Sequence, residues 1–224
     1  MNEEYVKTLE NVIKQMVKPL KNIPFSLVLE SLSDYKIIPF NENDKNDVEI
    51  LKTLKKVAVE AGNEINKSGI ISKRPNEVGN KIEEFVKNAL NKFDFNAEIP
   101  ANKNGQKQSV GYPDILFYDS QGKVNYLECK TYNEETENST MRSFYVSPSE
   151  NPKITCDAHH FLISFEMYKE KESIFKVKNY KIISLENLLV NVKYEFNANN
   201  VELYKNVLAS GEIFITKTKR SENV

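Results

Sequence analysis

Cysteine is nearly absent, long apolar runs are absent, and neither sign of charge dominates. Each lack removes a class of protein. With only Cys129 and Cys156, nothing demands a disulfide framework of the kind that staples small secreted domains. No apolar stretch approaches the length of a membrane span. The N-terminus, MNEEYVKTLENVIKQ, has no basic patch followed by an apolar stretch, so no signal peptide is expected and a cytoplasmic, reduced protein is the simplest reading. The net charge is −1, which excludes a polycation that holds nucleic acid by charge alone. It leaves room for an enzyme with a locally basic cleft. Arginine is scarce too: Arg74, Arg142 and Arg220 stand against a large excess of lysine.

What remains is an ordinary globular composition. The 224 residues are 40% hydrophobic and 28% charged, enough to bury a real core. There is no internal repeat. Residues 1–70 read as mostly helical, with Tyr5, Val6, Leu9, Val12, Ile13 and Met16 at helical spacing. Ile50, Leu51, Leu54, Val57 and Ala58 repeat that pattern, while FSLVLESL and YKIIPF between them suit helix or strand. A third helix is expected over 76–91, followed by a polar loop, NKNGQKQ, at 102–108. Irregular chain is expected over 133–153, strands at 160–165 and 173–183, a short helical or extended piece from Ser184 to Val192, a helix over 199–209, and a last strand in EIFITKTK. Helices alternating with strands define an α/β (α+β) chain whose sheet forms after residue 95.

The most informative stretch is PDILFYDSQGKVNYLECK, residues 113–130. Taking Ser120-Gln121-Gly122 as a three-residue hairpin loop, with glycine at its left-handed position, pairs residues whose numbers sum to 242. Asp114 then lies opposite Glu128, and Lys130 shares their face while Leu127 and Cys129 point away. Cross-strand neighbours sit about 5 Å apart at Cβ, so two carboxylates there repel. A divalent cation between them reverses that. Mg²⁺ takes oxygen ligands and is commonly held by one or two carboxylates plus phosphate oxygens. A lysine beside the metal can orient water and offset phosphate charge.

Pro113-Asp114, the spacing, and Glu128-Cys129-Lys130 together resemble the PD-(D/E)xK nuclease superfamily. GYPDILF and NYLECKTY resemble a type II restriction endonuclease within it, and RSFYVSPS, DAHHFLISFE and KYEFNANN add less diagnostic likeness. The resemblance implies a restriction-endonuclease-like central mixed sheet flanked by helices, Mg²⁺ dependence, and hydrolysis of double-stranded DNA. It implies Asp114 and Glu128 as metal ligands and Lys130 as the group that positions water. A nuclease core over 71–224 and a helical region over 1–70 supplying dimer contacts, DNA contacts or both complete the expectation. A homodimer would match a palindromic site.

Members of that superfamily often add a glutamate from the preceding helix, and Glu77, Glu83 and Glu84 are available. At about 100° per residue, Val78, Ile82, Phe85, Val86, Ala89 and Leu90 form one apolar stripe. Glu77 and Glu84 fall near the opposite side and Glu83 on the stripe's margin, so Glu83 is preferred and Glu77 second. Gly79, one turn earlier, would permit close approach of a backbone or of DNA.

Candidates for reading DNA are polar loop residues. Asn102, Asn104, Gln106 and Gln108 suit adenine edges, and Lys103 and Lys107 suit phosphates or guanine. Arg142, with Ser143 and Tyr145 beside it, follows the catalytic strand and suits a groove. His159 and His160 point to opposite faces of a strand and are expected to be structural. Two other classes fit the same residues: a structure-specific nuclease such as a junction resolvase or repair nuclease, and a non-catalytic DNA-binding module.

Overall fold

Among the described residues six strands form a mixed sheet, and the reasons for their order are local. The computed structural model describes residues 2–18, 20–72, 78–135, 137–140, 142–194 and 198–203. Two units are distinguished: Leu20–Asn191, and Met1–Pro19 with Val192–Val224. In the smaller unit, α1 (Glu3–Met16) is capped by the Asn2 side chain, which accepts from the Glu4 N–H. Its apolar residues Tyr5, Leu9, Val12, Ile13 and Met16 are exposed. The expected last helix is represented by α5 (Asn200–Leu203); the rest of it, and EIFITKTK, lie outside the described residues.

The larger unit opens with β1 (Ile23–Pro24) and α2 (Phe25–Ser33), so FSLVLESL is helical. Polar residues 41–44 form a turn, and Asp44 then caps α3 (Lys45–Ser68) by accepting from the Asn46 and Asp47 N–H groups. Gly69, at φ 71°, ends that helix; a Cβ there would sit 2.5 Å from Ile174, so only glycine fits the turn. This turn delivers β2 (Ile70–Ile71) to the sheet edge, a two-residue strand that composition alone does not announce. The sheet therefore begins before residue 95, contrary to expectation.

Helix α4 (Val78–Lys92) buries Val78, Ile82, Val86, Ala89 and Leu90, as its stripe predicts. Next come β3 (Ala97–Glu98), β4 (Ile115–Tyr118), β5 (Val124–Tyr132), β6 (His159–Lys171) and β7 (Ile174–Ser184), with β8 (Leu189–Val190) pairing back to β1. The sheet order is β2-β7-β6-β5-β4-β3. Only β5 and β6 run parallel; the other pairs are antiparallel. The crossover between the parallel strands contains no described helix or strand, and it includes the irregular stretch expected over 133–153.

Strand alternation divides the core into two layers. Leu127, Cys129, Ile163 and Phe165 face α3 and α4 with Leu54, Val57, Ile65 and Ile82. Tyr126 and Leu162 face the other way, with Phe25, Leu29, Ile37, Ile154 and Leu185. Fully burying a side chain of this size contributes about 1.5–3 kcal/mol. No helix among the described residues is long and apolar enough to cross a membrane.

Candidate active site

The hairpin has the register expected of it. Ile115 pairs with Leu127, Leu116 with Tyr126, Phe117 with Asn125 and Tyr118 with Val124, every pair summing to 242. Gly122, at φ 76°, takes the left-handed place in the loop, and its N–H donates to the Asp119 carbonyl at 2.9 Å. Buried Asp119 locks the turn by accepting from the N–H groups of Gln121 and Lys123 at 2.8 and 2.9 Å, and from Asn46 at 2.9 Å. Turn chemistry fixes the register, and the register sets the charged groups.

Asp114 stands one residue before β4 begins. Its Oδ2 accepts from the Cys129 N–H at 2.8 Å, standing in for a backbone acceptor where β4 has not yet started. Glu128 is only 3% exposed. Its Oε1 pairs with Lys130 Nζ, while its buried Oε2 has no hydrogen-bond partner among the described groups. An unpaired buried carboxylate oxygen is costly. Burial, and then the charge of Asp114, push the Glu128 carboxyl upward, with Lys130 opposing. Lys130 is lowered by burial, yet Glu128 and Asp114 outweigh that and raise it overall.

Glu83 comes from α4, on the opposite face. It is half-buried, and its carboxyl is pushed to about 7 by burial and then by the charge of Asp114; Lys130 and a second lysine, Lys153, oppose. Glu84 is exposed, and Glu77 lies outside the described residues. Because β4 is only four residues long, acids from both faces of the sheet can gather where β5 continues past it. A Cβ on Gly79 would make an ordinary 3.8 Å contact with Thr131, so packing of the chain itself does not require glycine there.

Among the described residues, no group of three or more Asp, Glu, His or Cys is placed to hold a metal ion by itself. The donor set is two carboxylates, one carrying an orphaned buried oxygen. That fits a hard divalent cation that completes its shell with water and phosphate oxygens. Cys129 faces the core, where burial pushes its thiol well up. It is no nucleophile.

The 102–108 loop lies against residues 151–153, far away in sequence. The Lys103 N–H donates to the Pro152 carbonyl at 3.2 Å, Asn104 donates to the Asn151 side chain at 3.0 Å, and Lys153 Nζ donates to the Gln108 carbonyl at 3.3 Å. Asn104, Gln106, Lys107, Gln108, Arg142, Ser143 and Tyr145 are all exposed. Lys107 pairs with Glu98 at 2.7 Å, and the Arg142 guanidinium lies 5.6 Å from the Tyr145 ring centre. Asn102 differs: it is buried, and its side-chain oxygen accepts from the N–H groups of Asn104 and Gln106, so it shapes the loop. Sequence patterns missed Lys153, which lies in irregular chain with no periodicity to mark it.

Both histidines serve the fold. His159 contacts the Ile38 carbonyl at 2.9 Å and Asp47 at 3.1 Å. His160 is buried, and its Nδ1 lies 2.6 Å from the Tyr112 hydroxyl.

Residues 19–207 match the family model described as the Type II restriction enzyme MjaV family, and the chain belongs to that family. It is a site-specific deoxyribonuclease of the restriction type. The Type II restriction enzyme MjaV of Methanocaldococcus jannaschii is 40% identical over 219 residues, covering 91% of this chain and 94% of that protein. The crystal structure of tetrameric restriction endonuclease SfiI bound to cognate DNA aligns at a TM-score of 0.41 with 14% identity, over 66% of this chain and 67% of that one. That distant likeness adds nothing to the assignment. Family membership decides against a junction resolvase and against a non-catalytic module.

Proposed function

We propose that the chain hydrolyses duplex DNA with Mg²⁺ held by Asp114 and Glu128, Lys130 positioning the attacking water, and Glu83 assisting from the helix. One observation carries this: a buried carboxylate oxygen on Glu128 lacks a partner among the described residues, and the nearest charges include Asp114, which makes the pair unfavourable without a cation. Type II restriction enzymes typically need a divalent metal, and a bound Mg²⁺ would neutralise charge on the phosphate under attack. Lys130, tied to Glu128, holds a proton at Nζ with which to orient water and meet the growing negative charge. Glu83, at about 7, can exchange a proton with solvent near neutral pH. The Asn104–Gln108 loop and Arg142–Tyr145 face the grooves and supply base and phosphate contacts.

The enzyme works as a cytoplasmic homodimer, on this reading, with residues 1–70 contributing dimer or DNA contacts. The exposed apolar residues of α1 support that role. The test is a plasmid digest with fragment ends mapped, with Mg²⁺ or chelator, using wild type, Glu128→Ala and Lys130→Ala. Discrete Mg²⁺-dependent fragments from wild type and none from the variants are expected; undiminished cutting by both variants would sink the residue assignment.

A further inference from the structure

The three acids at the site, Glu83, Asp114 and Glu128, are matched by two lysines, and only one of these belongs to the hairpin. Lys153 is 4% exposed, a rare state for lysine. An ammonium has three donors, and the described structure engages this one in a single hydrogen bond, to the Gln108 carbonyl at 3.3 Å. Lys153 lines a narrow crevice with Gln108, Gly111, Tyr112 and Pro152, immediately before Pro113-Asp114. Burial pushes its ammonium down overall, against the opposing charges of Asp114, Glu128 and Glu83. No carboxylate makes a described ion pair with it, so packing alone does not account for keeping a charge there.

We propose that Lys153 is a second lysine of the active site, donating to a non-bridging phosphate oxygen of the bound DNA strand while it holds the Gln108 carbonyl. The crevice is walled by Gly111 and Tyr112, which lead directly into Pro113-Asp114, and two donors of the lysine remain for an anion. Holding Gln108 ties the 102–108 loop to the cleavage centre, so base reading and phosphate placement move together. This rests on the proposed catalytic assignment, and it adds a residue from a segment with no part in the PD-(D/E)xK pattern.

The experiment uses the full chain and a duplex carrying a mapped cleavage site, with Ca²⁺ in place of Mg²⁺ to block cutting. Binding is titrated across salt for wild type, Lys153→Met and Lys153→Arg. Removing one phosphate contact lowers the slope of log affinity against log salt by about one. Lys153→Met is expected to show that loss and about tenfold weaker binding, with melting close to wild type, while Lys153→Arg restores the slope. The Ca²⁺ affinity of Lys153→Met without DNA should rise, because a repelling charge near Asp114 and Glu128 is gone.

A folded Lys153→Met with wild-type slope and affinity overturns the proposal. So does failure of Lys153→Met and a second neutral variant, Lys153→Gln, to fold, which would assign the residue to the fold. Failure of the catalytic reading is separate: wild type would then cut without regard to Lys130 and Glu128, whatever Lys153 does.

Discussion

Two polar clusters sit along β5 and β6, and they handle charge in opposite ways. Toward the start of the strands, His160 contacts Tyr112 and lies 4.8 Å, ring to ring, from Tyr126, with Phe25 and Phe144 packed at the edges of Tyr112. Burial drives His160 down to about 3 and Tyr112 well up, so both stay neutral. Two residues further along, Glu128 and Lys130 are charged groups with Asp114, Glu83 and Lys153 around them. Aromatic packing solves burial by removing charge. The acidic end gathers carboxyls and lysines instead, with one buried Glu128 oxygen unpartnered among the described groups.

The largest expected contrast is in catalysis. Glu128→Ala or Lys130→Ala should lower cleavage at least about a thousandfold while leaving circular dichroism unchanged. Tyr112→Phe, at the neutral end, should change cleavage less than about threefold in the same assay. A catalytic collapse in Tyr112→Phe would erase the distinction.

Stability should reverse the ranking. Losing the Tyr112–His160 hydrogen bond costs about 1 kcal/mol, a fall in Tm of roughly 2–4 °C by calorimetry. Glu128→Gln removes a buried charge and should leave the metal-free Tm equal or higher.

The pH profile separates the ends by sign. Glu83 is raised to about 7 in the folded state, so the folded chain binds more protons there than the unfolded one. Its contribution is present at low pH and lost as pH rises through about 7. His160 is lowered, so its contribution is present above about 6.5 and lost as pH falls. With Glu128 raised to about 7 as well, the carboxyl losses begin above their ordinary value of 4.5 and outweigh the His160 gain. Metal-free Tm should therefore rise to about pH 4.5 and decline on the alkaline side of that up to about pH 7. Ca²⁺ should erase only the alkaline decline, and Glu83→Gln should blunt it. An alkaline decline unaltered by both would refute the acidic cluster as its source.

The smallest effect belongs to the exposed loop. Lys107→Ala should weaken DNA binding only about twofold to fivefold, because an exposed lysine already paired with Glu98 offers one weak phosphate contact. Fluorescence anisotropy would read it.

Short-range rules made much of this protein legible in its sequence. The left-handed glycine of the turn sets the hairpin register, and strand alternation then puts Asp114, Glu128 and Lys130 on one face and Cys129 on the other. Helical phase alone favoured Glu83 over Glu84, since the angle between residues is a local property. Only the tertiary structure placed β2 on the sheet edge and brought Lys153 to the acids. It also laid residues 142–154 against the 102–112 loop. Those outcomes depend on contacts between residues far apart in the chain, one member of which lies in irregular segments. Without periodicity there, no local rule says where such a side chain ends up; burial and hydrogen bonding across the fold decide it.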